Sequence, residues 1–172
     1  MADLPRRLAV AGPPCSGKTA VGEILAGMAG CPFIDLDSEV GRESGMSIPS
    51  IFERYGEEEF RRLERAALLS VLGRSGRFVL ALGGGTLLDR RNLADVMRSS
   101  VIVTLRVPSA TLLERLEGQG RPLAADREGL SLLLAARSEH YAGLPGGVDC
   151  AGLTPEGCAG AIVAMLSGGA GS

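Results

Sequence analysis

Short apolar runs at 8–12, 32–35, 78–83, 101–105 and, more weakly, 148–150 alternate along this chain with longer stretches whose apolar residues recur every three or four positions. The runs are too short for helices and almost unbroken in Leu, Val, Ile, Phe and Ala, as in Leu8-Ala9-Val10-Ala11. That is the pattern of strands buried on both faces. The intervening periodicity predicts helices over 18–29, 38–44, 48–55, 57–72, 89–98, 109–117, 129–141 and 155–166. Strands alternating with helices in this way give a doubly wound α/β fold, a five-stranded parallel sheet with helices on both faces. Ligands of such sheets bind beyond the carboxyl ends of the strands. Gly12, Asp35, Gly83 and the segment after Leu105 are all expected at that edge. Two helix starts carry their own chemistry: Thr154-Pro155-Glu156 supplies an N-cap, a first-turn proline and an acid near the positive dipole end, and Asp89 opens the helix after the third strand.

Composition narrows the partners. At 172 residues the chain is one domain over 1–172, since a chain of about 150 residues already buries roughly 70% of its unfolded surface. A net charge of −2 gives no basic field for nucleic acid or an anionic membrane, so small molecules are the expected partners. No apolar run approaches the ~18 residues of a membrane span, and Leu4-Pro5-Arg6-Arg7 leads straight into the first strand rather than into a secretory leader. A soluble, cytoplasmic protein is expected. Cys15, Cys31, Cys150 and Cys158 form no C-x-x-C pair and the one histidine is His140, which reads as reduced thiols without a zinc site. With few aromatics and no evident exposed apolar stripe, a monomer is expected. The tail 167–172 reads as a flexible end.

The strongest chemical signal is Gly12-Pro13-Pro14-Cys15-Ser16-Gly17-Lys18-Thr19, a G-x-x-x-x-G-K-[ST] phosphate loop that follows a strand and opens a helix. Glycines stand where backbone amides must close on a phosphate. Lys18 would reach the β- and γ-phosphates, Thr19 would offer its hydroxyl to Mg²⁺, and the helix dipole would favour the anion.

The other constellations choose an acceptor. In Asp35-Leu36-Asp37 the two carboxylates share one face of an extended segment, so one could hold the metal shell and the other take a proton from a substrate hydroxyl; alternatively Asp37 or Ser38 only caps the next helix. Phe60-Arg61-Arg62-Leu63-Glu64 lies in a helix, where at most one of two adjacent arginines points inward. Taken alone, such a pair reads as solvated or bonded to nearby glutamates. Gly83-Gly84-Gly85, followed by Thr86, strips side chains from the sheet edge and suits backbone contact with substrate or γ-phosphate better than turn-making alone. Gln119-Gly120-Arg121-Pro122-Leu123 suits a lid, with Arg121 neutralising the phosphates in transfer. Arg137 sits on an otherwise apolar helical stretch and needs an anionic partner, from protein or from substrate.

Together these motifs, in order and at close spacing over about residues 8 to 160, resemble the shikimate kinase family. The resemblance implies a P-loop, nucleoside monophosphate kinase-like fold with its phosphate loop at 12–19, a substrate-binding helical region about 37–72 and a lid about 118–128. It implies ATP-dependent phosphorylation of the 3-hydroxyl of shikimate in the chorismate route to aromatic amino acids. ATP would be bound by Gly12, Cys15, Ser16, Gly17, Lys18, Thr19, Ala20, Arg115 and Arg121, with Arg115 near the adenine, and Mg²⁺ by Thr19 and Asp35. Lys18, Asp37 and Arg121 would be catalytic, Asp37 acting as base; Asp37, Gly83, Gly84, Gly85, Arg61 and Arg137 would hold shikimate, the two arginines on its carboxylate. The chain departs from the pattern in the Pro13-Pro14-Cys15 filling of the loop, a linker from Arg115 to Arg121 one residue short, Ala124 where a second leucine is usual, and Ala151-Gly152-Leu153 in place of a basic adenine neighbour. A gluconate kinase, or a nucleotide-binding module without activity, is the alternative.

Overall fold

The computed structural model describes residues 2–115 and 127–168. Five strands, β1 (Arg7–Ala11), β2 (Phe33–Asp35), β3 (Phe78–Ala81), β4 (Val101–Arg106) and β5 (Gly147–Asp149), form one parallel sheet in the order β2-β3-β1-β4-β5. β2 and β3 lie on one side of β1 and β4 and β5 on the other, so the winding reverses at β1. The loop leaving β1 therefore opens into the crevice where such sheets bind ligands.

Each expected helix has its counterpart: α1 (Lys18–Ala29), α2 (Leu36–Ser44), α3 (Ile48–Leu72), α4 (Arg90–Ser99), α5 (Ser109–Glu114), α6 (Arg127–Ala136), α7 (Ser138–Gly143) and α8 (Pro155–Gly168). A short 3-10 turn at Thr86–Leu88 comes in addition. The expected break between 55 and 57 is there inside α3, where Gly56 has φ 79° and ψ −177°, a backbone that a side chain would strain. The stretch expected as one helix over 129–141 is two, because Arg137 (φ −110°, ψ 5°) leaves the helical path between α6 and α7. No glycine or proline marks that break. α8 continues through Ser167 and Gly168, two residues into the expected tail; 169–172 lie outside the described residues.

The side-chain alternation of the strands divides the core. Ala9, Ala11, Leu80 and Ile102 face α2, α3 and α4 through Leu36, Val40, Ile51, Phe60, Leu68 and Val96. Leu8, Val10, Val79, Val103 and Leu105 face α1 and α8 through Val21, Leu25, Cys158 and Ile162. Each fully buried leucine here contributes about 1.5–3 kcal/mol by leaving water. Cys150 and Cys158 belong to this second face, and burial, with the Cys158 thiol beside it, pushes Cys150 up to about 12.

The expected caps form. Thr154 Oγ1 accepts from Gly157 N at 3.2 Å, and Asp89 accepts from Arg91 N at 2.8 Å. Hydrogen bonds from the Arg91 side chain and then its backbone hold Asp89 down to about 2, against the usual 3.8. A depressed carboxyl stabilises the fold above its unfolded pKa and loses that contribution as pH falls through the folded one. The expected result for Asp89→Asn, which keeps the cap and removes the charge, is a melting-temperature deficit that is full above pH 4 and gone near pH 2. Thermal melts of both proteins across that range would show it; a pH-independent deficit would dissociate the charge from stability.

Candidate active site

The phosphate loop leaves β1 at Gly12 (φ 144°), where a Cβ would stand 3.0 Å from both Leu105 O and Ser16 Oγ. It ends at Gly17 (φ 92°), the N-cap of α1; α1 has no side-chain cap and no acid in its first turn. Its amino-terminal dipole thus faces the loop with no acid of its own first turn to compete. Ser16 Oγ is shielded from solvent and has no hydrogen-bond partner among the described residues, as suits a hydroxyl awaiting a phosphate oxygen. Lys18 is 5% exposed and arches over the loop, donating from Nζ to Pro13 O at 2.7 Å. Cys15 holds φ 63°, a left-handed conformation that costs a side chain roughly 1–2 kcal/mol. Its buried thiol packs with Leu112, Leu130 and Leu134, on the two helices that flank 116–126.

Asp35 and Asp37 are not on one extended face, as the sequence suggested. β2 ends at Asp35, which is itself the N-cap of α2, so Asp37 falls in the first helical turn. The cap is therefore neither Asp37 nor Ser38: Asp35 Oδ1 accepts from Ser38 N at 3.0 Å. Asp35 Oδ2 accepts from Thr19 Oγ1 at 2.9 Å, across from β2 to the phosphate loop. A carboxylate and a hydroxyl held together beside a phosphate cradle are hard oxygen donors of the kind Mg²⁺ takes. Among the described residues no group of three or more His, Cys, Asp or Glu side chains could hold a metal by itself. Asp37 turns instead toward the glycine run, its Oδ1 3.1 Å from where a Cβ on Gly83 would stand.

The Arg61/Arg62 pair divides. Arg62 lies outside with Glu59 at 2.7 Å, while Arg61 turns in, donating to Glu64 at 2.8 Å and to Glu57 at 3.1 Å. Pairing with glutamates is thus real for both, and for Arg61 it fixes a guanidinium at the crevice. Burial alone would lower the Arg61 pKa, but Glu64 and then Glu57 outweigh it and raise it. Glu64 is 1% exposed; burial raises its carboxyl against the opposing pull of Arg61 and of Thr86, whose Oγ1 donates to Glu64 Oε1 at 2.6 Å.

None of Gly83, Gly84 and Gly85 has a positive φ, so backbone conformation does not demand them. Space does. A Cβ on Gly83 would meet Glu64, Thr86 and Asp37 at 2.8–3.1 Å; on Gly84, Pro14 of the phosphate loop at 2.9 Å; on Gly85, the Arg61 guanidinium at 2.6 Å. The run thus lets the acceptor side chains and the phosphate loop close on one strand end.

From the opposite side, Tyr141 donates to Gly84 O at 2.9 Å. Burial raises its phenol, opposed by a hydrogen bond from Arg137 and by the charges of Arg137 and Arg61. Asp37 and Arg61 thus reach the 83–85 strand end directly, and Arg137 is tied to it through Tyr141. Arg115 sits against the phosphate loop, donating from Nη1 to Ser16 O at 3.4 Å. Arg121 and most of the expected lid lie outside the described residues. Of the side chains here, Glu64, Thr86 and Tyr141 were assigned no function from the sequence, although Glu64 and Tyr141 belong to its motifs. Glu64 had a signal, a carboxylate in the apolar stripe of Phe60, Ala67, Leu68 and Val71; Thr86 had none.

A family model described as shikimate kinase matches residues 14–166. The chain is 40% identical over 145 residues to a shikimate kinase of Geobacter sulfurreducens, spanning 82% of this chain and 80% of that one. Its fold is similar to the crystal structure of shikimate kinase from Aquifex aeolicus, with a TM-score of 0.83, 31% identity and coverage of 95% and 98% of the two chains. It is likewise similar to shikimate kinase from Acinetobacter baumannii in complex with shikimate, with a TM-score of 0.79, 31% identity and coverage of 96% and 92%.

Proposed function

Because the chain belongs to the shikimate kinase family, we propose that it transfers the γ-phosphoryl group of ATP to the 3-hydroxyl of shikimate, giving ADP and 3-phosphoshikimate. The observation that supports this reading is that the phosphate loop, Asp37 and Arg61 close on one strand end, to which Tyr141 beside Arg137 is hydrogen-bonded. An anionic, hydroxylated ring needs both parts: cations for its carboxylate and a carboxylate for its hydroxyl.

The loss and gain of bonds occurs between the γ-phosphorus and two oxygens, so the protein's work is placement and charge neutralisation. Lys18, Ser16 and the amino end of α1 hold the phosphates, with Arg115 beside the loop, and Arg121, outside the described residues, would neutralise their charge in transfer. Gly12, Gly17 and Cys15 shape that loop, and Ala20 lies in the first turn of α1. Thr19 and Asp35 would hold Mg²⁺, which, when bound, spreads the charge of the β- and γ-phosphates. Asp37 orients the 3-hydroxyl and accepts its proton as the new P–O bond forms. Arg61 and Arg137 clasp the ring carboxylate, and the glycine run brings backbone against the substrate. The substrate-binding region is 37–72; the expected lid, about 118–128, lies mostly outside the described residues. No described helix is long and apolar enough to cross a membrane; a monomeric cytoplasmic enzyme completes the proposal.

A coupled ADP-release assay tests it. Shikimate-dependent release is expected, with gluconate inert; release that gluconate stimulates and shikimate does not would overturn the assignment. Arg61→Lys is expected to raise KM for shikimate about tenfold with kcat little changed, since an ammonium cannot match a carboxylate with two parallel N–H groups. An unaltered KM would remove Arg61 from the clasp.

A further inference from the structure

We propose that Thr86 is a positioning residue for acceptor binding, acting through Glu64 on Arg61; this rests on the reading of Arg61 as a shikimate ligand. Thr86 is fully buried, and its hydroxyl donates to Glu64 Oε1 at 2.6 Å while Arg61 Nη1 donates to Glu64 Oε2 at 2.8 Å. The two carboxylate oxygens are thereby divided between an internal anchor and the Arg61 guanidinium. With one oxygen pinned, the other has a fixed direction, and so has the guanidinium bonded to it.

The anchor itself is held. Thr86 N donates to Gly83 O at 3.2 Å, and Asn92 Nδ2 donates to Thr86 O at 2.9 Å. Asn92 is 3% exposed and accepts from Arg65, which is also paired with Asp95 at 2.8 Å. A continuous hydrogen-bonded chain thus runs from α4 through Asn92, Thr86 and Glu64 to Arg61. Without the hydroxyl, Glu64 Oε1 would lose its donor in a space beside Gly83 that Asp37, another carboxylate, also borders. Glu64 could then rotate, and Arg61 with it. A buried acceptor left unpaired is costly, and Glu64 would relieve the cost by moving. Valine has nearly the same shape as threonine, so Thr86→Val removes the hydroxyl while keeping the volume.

The test uses the full chain in the ADP-release assay with both substrates varied. Thr86→Val is expected to raise KM for shikimate about tenfold, with KM for ATP unchanged, and Thr86→Ser to restore the wild-type value. In a Glu64→Gln background, Thr86→Val should have little further effect on shikimate KM, since its action passes through that carboxylate. Unchanged shikimate KM in Thr86→Val, equal damage toward both substrates, a Thr86→Ser enzyme as impaired as Thr86→Val, or additive effects with Glu64→Gln would each overturn the proposal. Should Thr86→Val not fold, Thr86→Ser and Thr86→Ala, melted to confirm their fold, give the same comparison. Wild-type protein inactive toward shikimate would instead refute the functional reading on which this one stands.

Discussion

Lys18→Met is expected to lower kcat by about 10²–10³ while the fold persists, the range seen when one charged or hydrogen-bonding donor is removed from a water-poor transition-state site. Lys18 is 5% exposed, and its ammonium is bonded to the loop's own backbone at Pro13 O, 2.7 Å away. The cation is therefore stored where the β- and γ-phosphates belong rather than delivered from solvent. Methionine is as long and unbranched, so the packing around the stem survives and only the charge is lost. The expected signature is a fall in kcat larger than the rise in KM for ATP, because negative charge shifts toward the β–γ bridge as the γ-phosphoryl leaves. Steady-state kinetics with circular dichroism as the folding control would measure it. A Lys18→Met enzyme within tenfold of wild type would place the neutralising charge elsewhere.

Asp37→Asn ranks second, with kcat expected to fall by about 10²-fold or more and KM for shikimate to change much less. Asparagine keeps the size of the side chain and can still accept a hydrogen bond from the 3-hydroxyl, so orientation is preserved and the proton acceptor is not. Asp37 Oδ1 lies 3.1 Å from the position a Gly83 Cβ would take, at the mouth of the crevice shared with Arg61. If kcat stays within about threefold of wild type, proton transfer to this carboxylate is not part of the rate-limiting barrier and positioning alone carries the reaction.

Much of this site was legible because its motifs are local. A phosphate loop needs only a strand, a few small residues and a helix start, all contiguous from Leu8 to Ala29. The nearly unbroken apolar strands announced a sheet covered on both faces, and the caps at Asp89 and Thr154 are bonds between near neighbours. The Asp35-Leu36-Asp37 geometry was misread because extended and helical starts share the same three letters. What decided it was a single capping bond, Asp35 to Ser38 N, which begins the helix two residues early and sends the two acids to different targets.

The glycine run shows the same limit from the other side. Its sparseness pointed to close approach, but what approaches came from elsewhere in the chain: Glu64 and Arg61 from α3, Asp37 from α2, Pro14 from the phosphate loop. Arg137 needed an anionic partner by its apolar setting, and it has Tyr141 beside it, with the break between α6 and α7 falling at Arg137 itself.

By itself the sequence determined the layered α/β fold, the nucleotide loop and the identity of the charged side chains, since hydrophobic periodicity and short-range backbone chemistry are properties of adjacent residues. Only the tertiary structure decided which arginine of Arg61 and Arg62 turns inward, that Glu64 is held between Arg61 and Thr86, and that Tyr141 closes on Gly84. The Thr86–Glu64 and Tyr141–Gly84 bonds join segments 22 and 57 residues apart. Burial selects them: a carboxylate or guanidinium removed from water persists only where folding brings it a partner, and no local pattern specifies which.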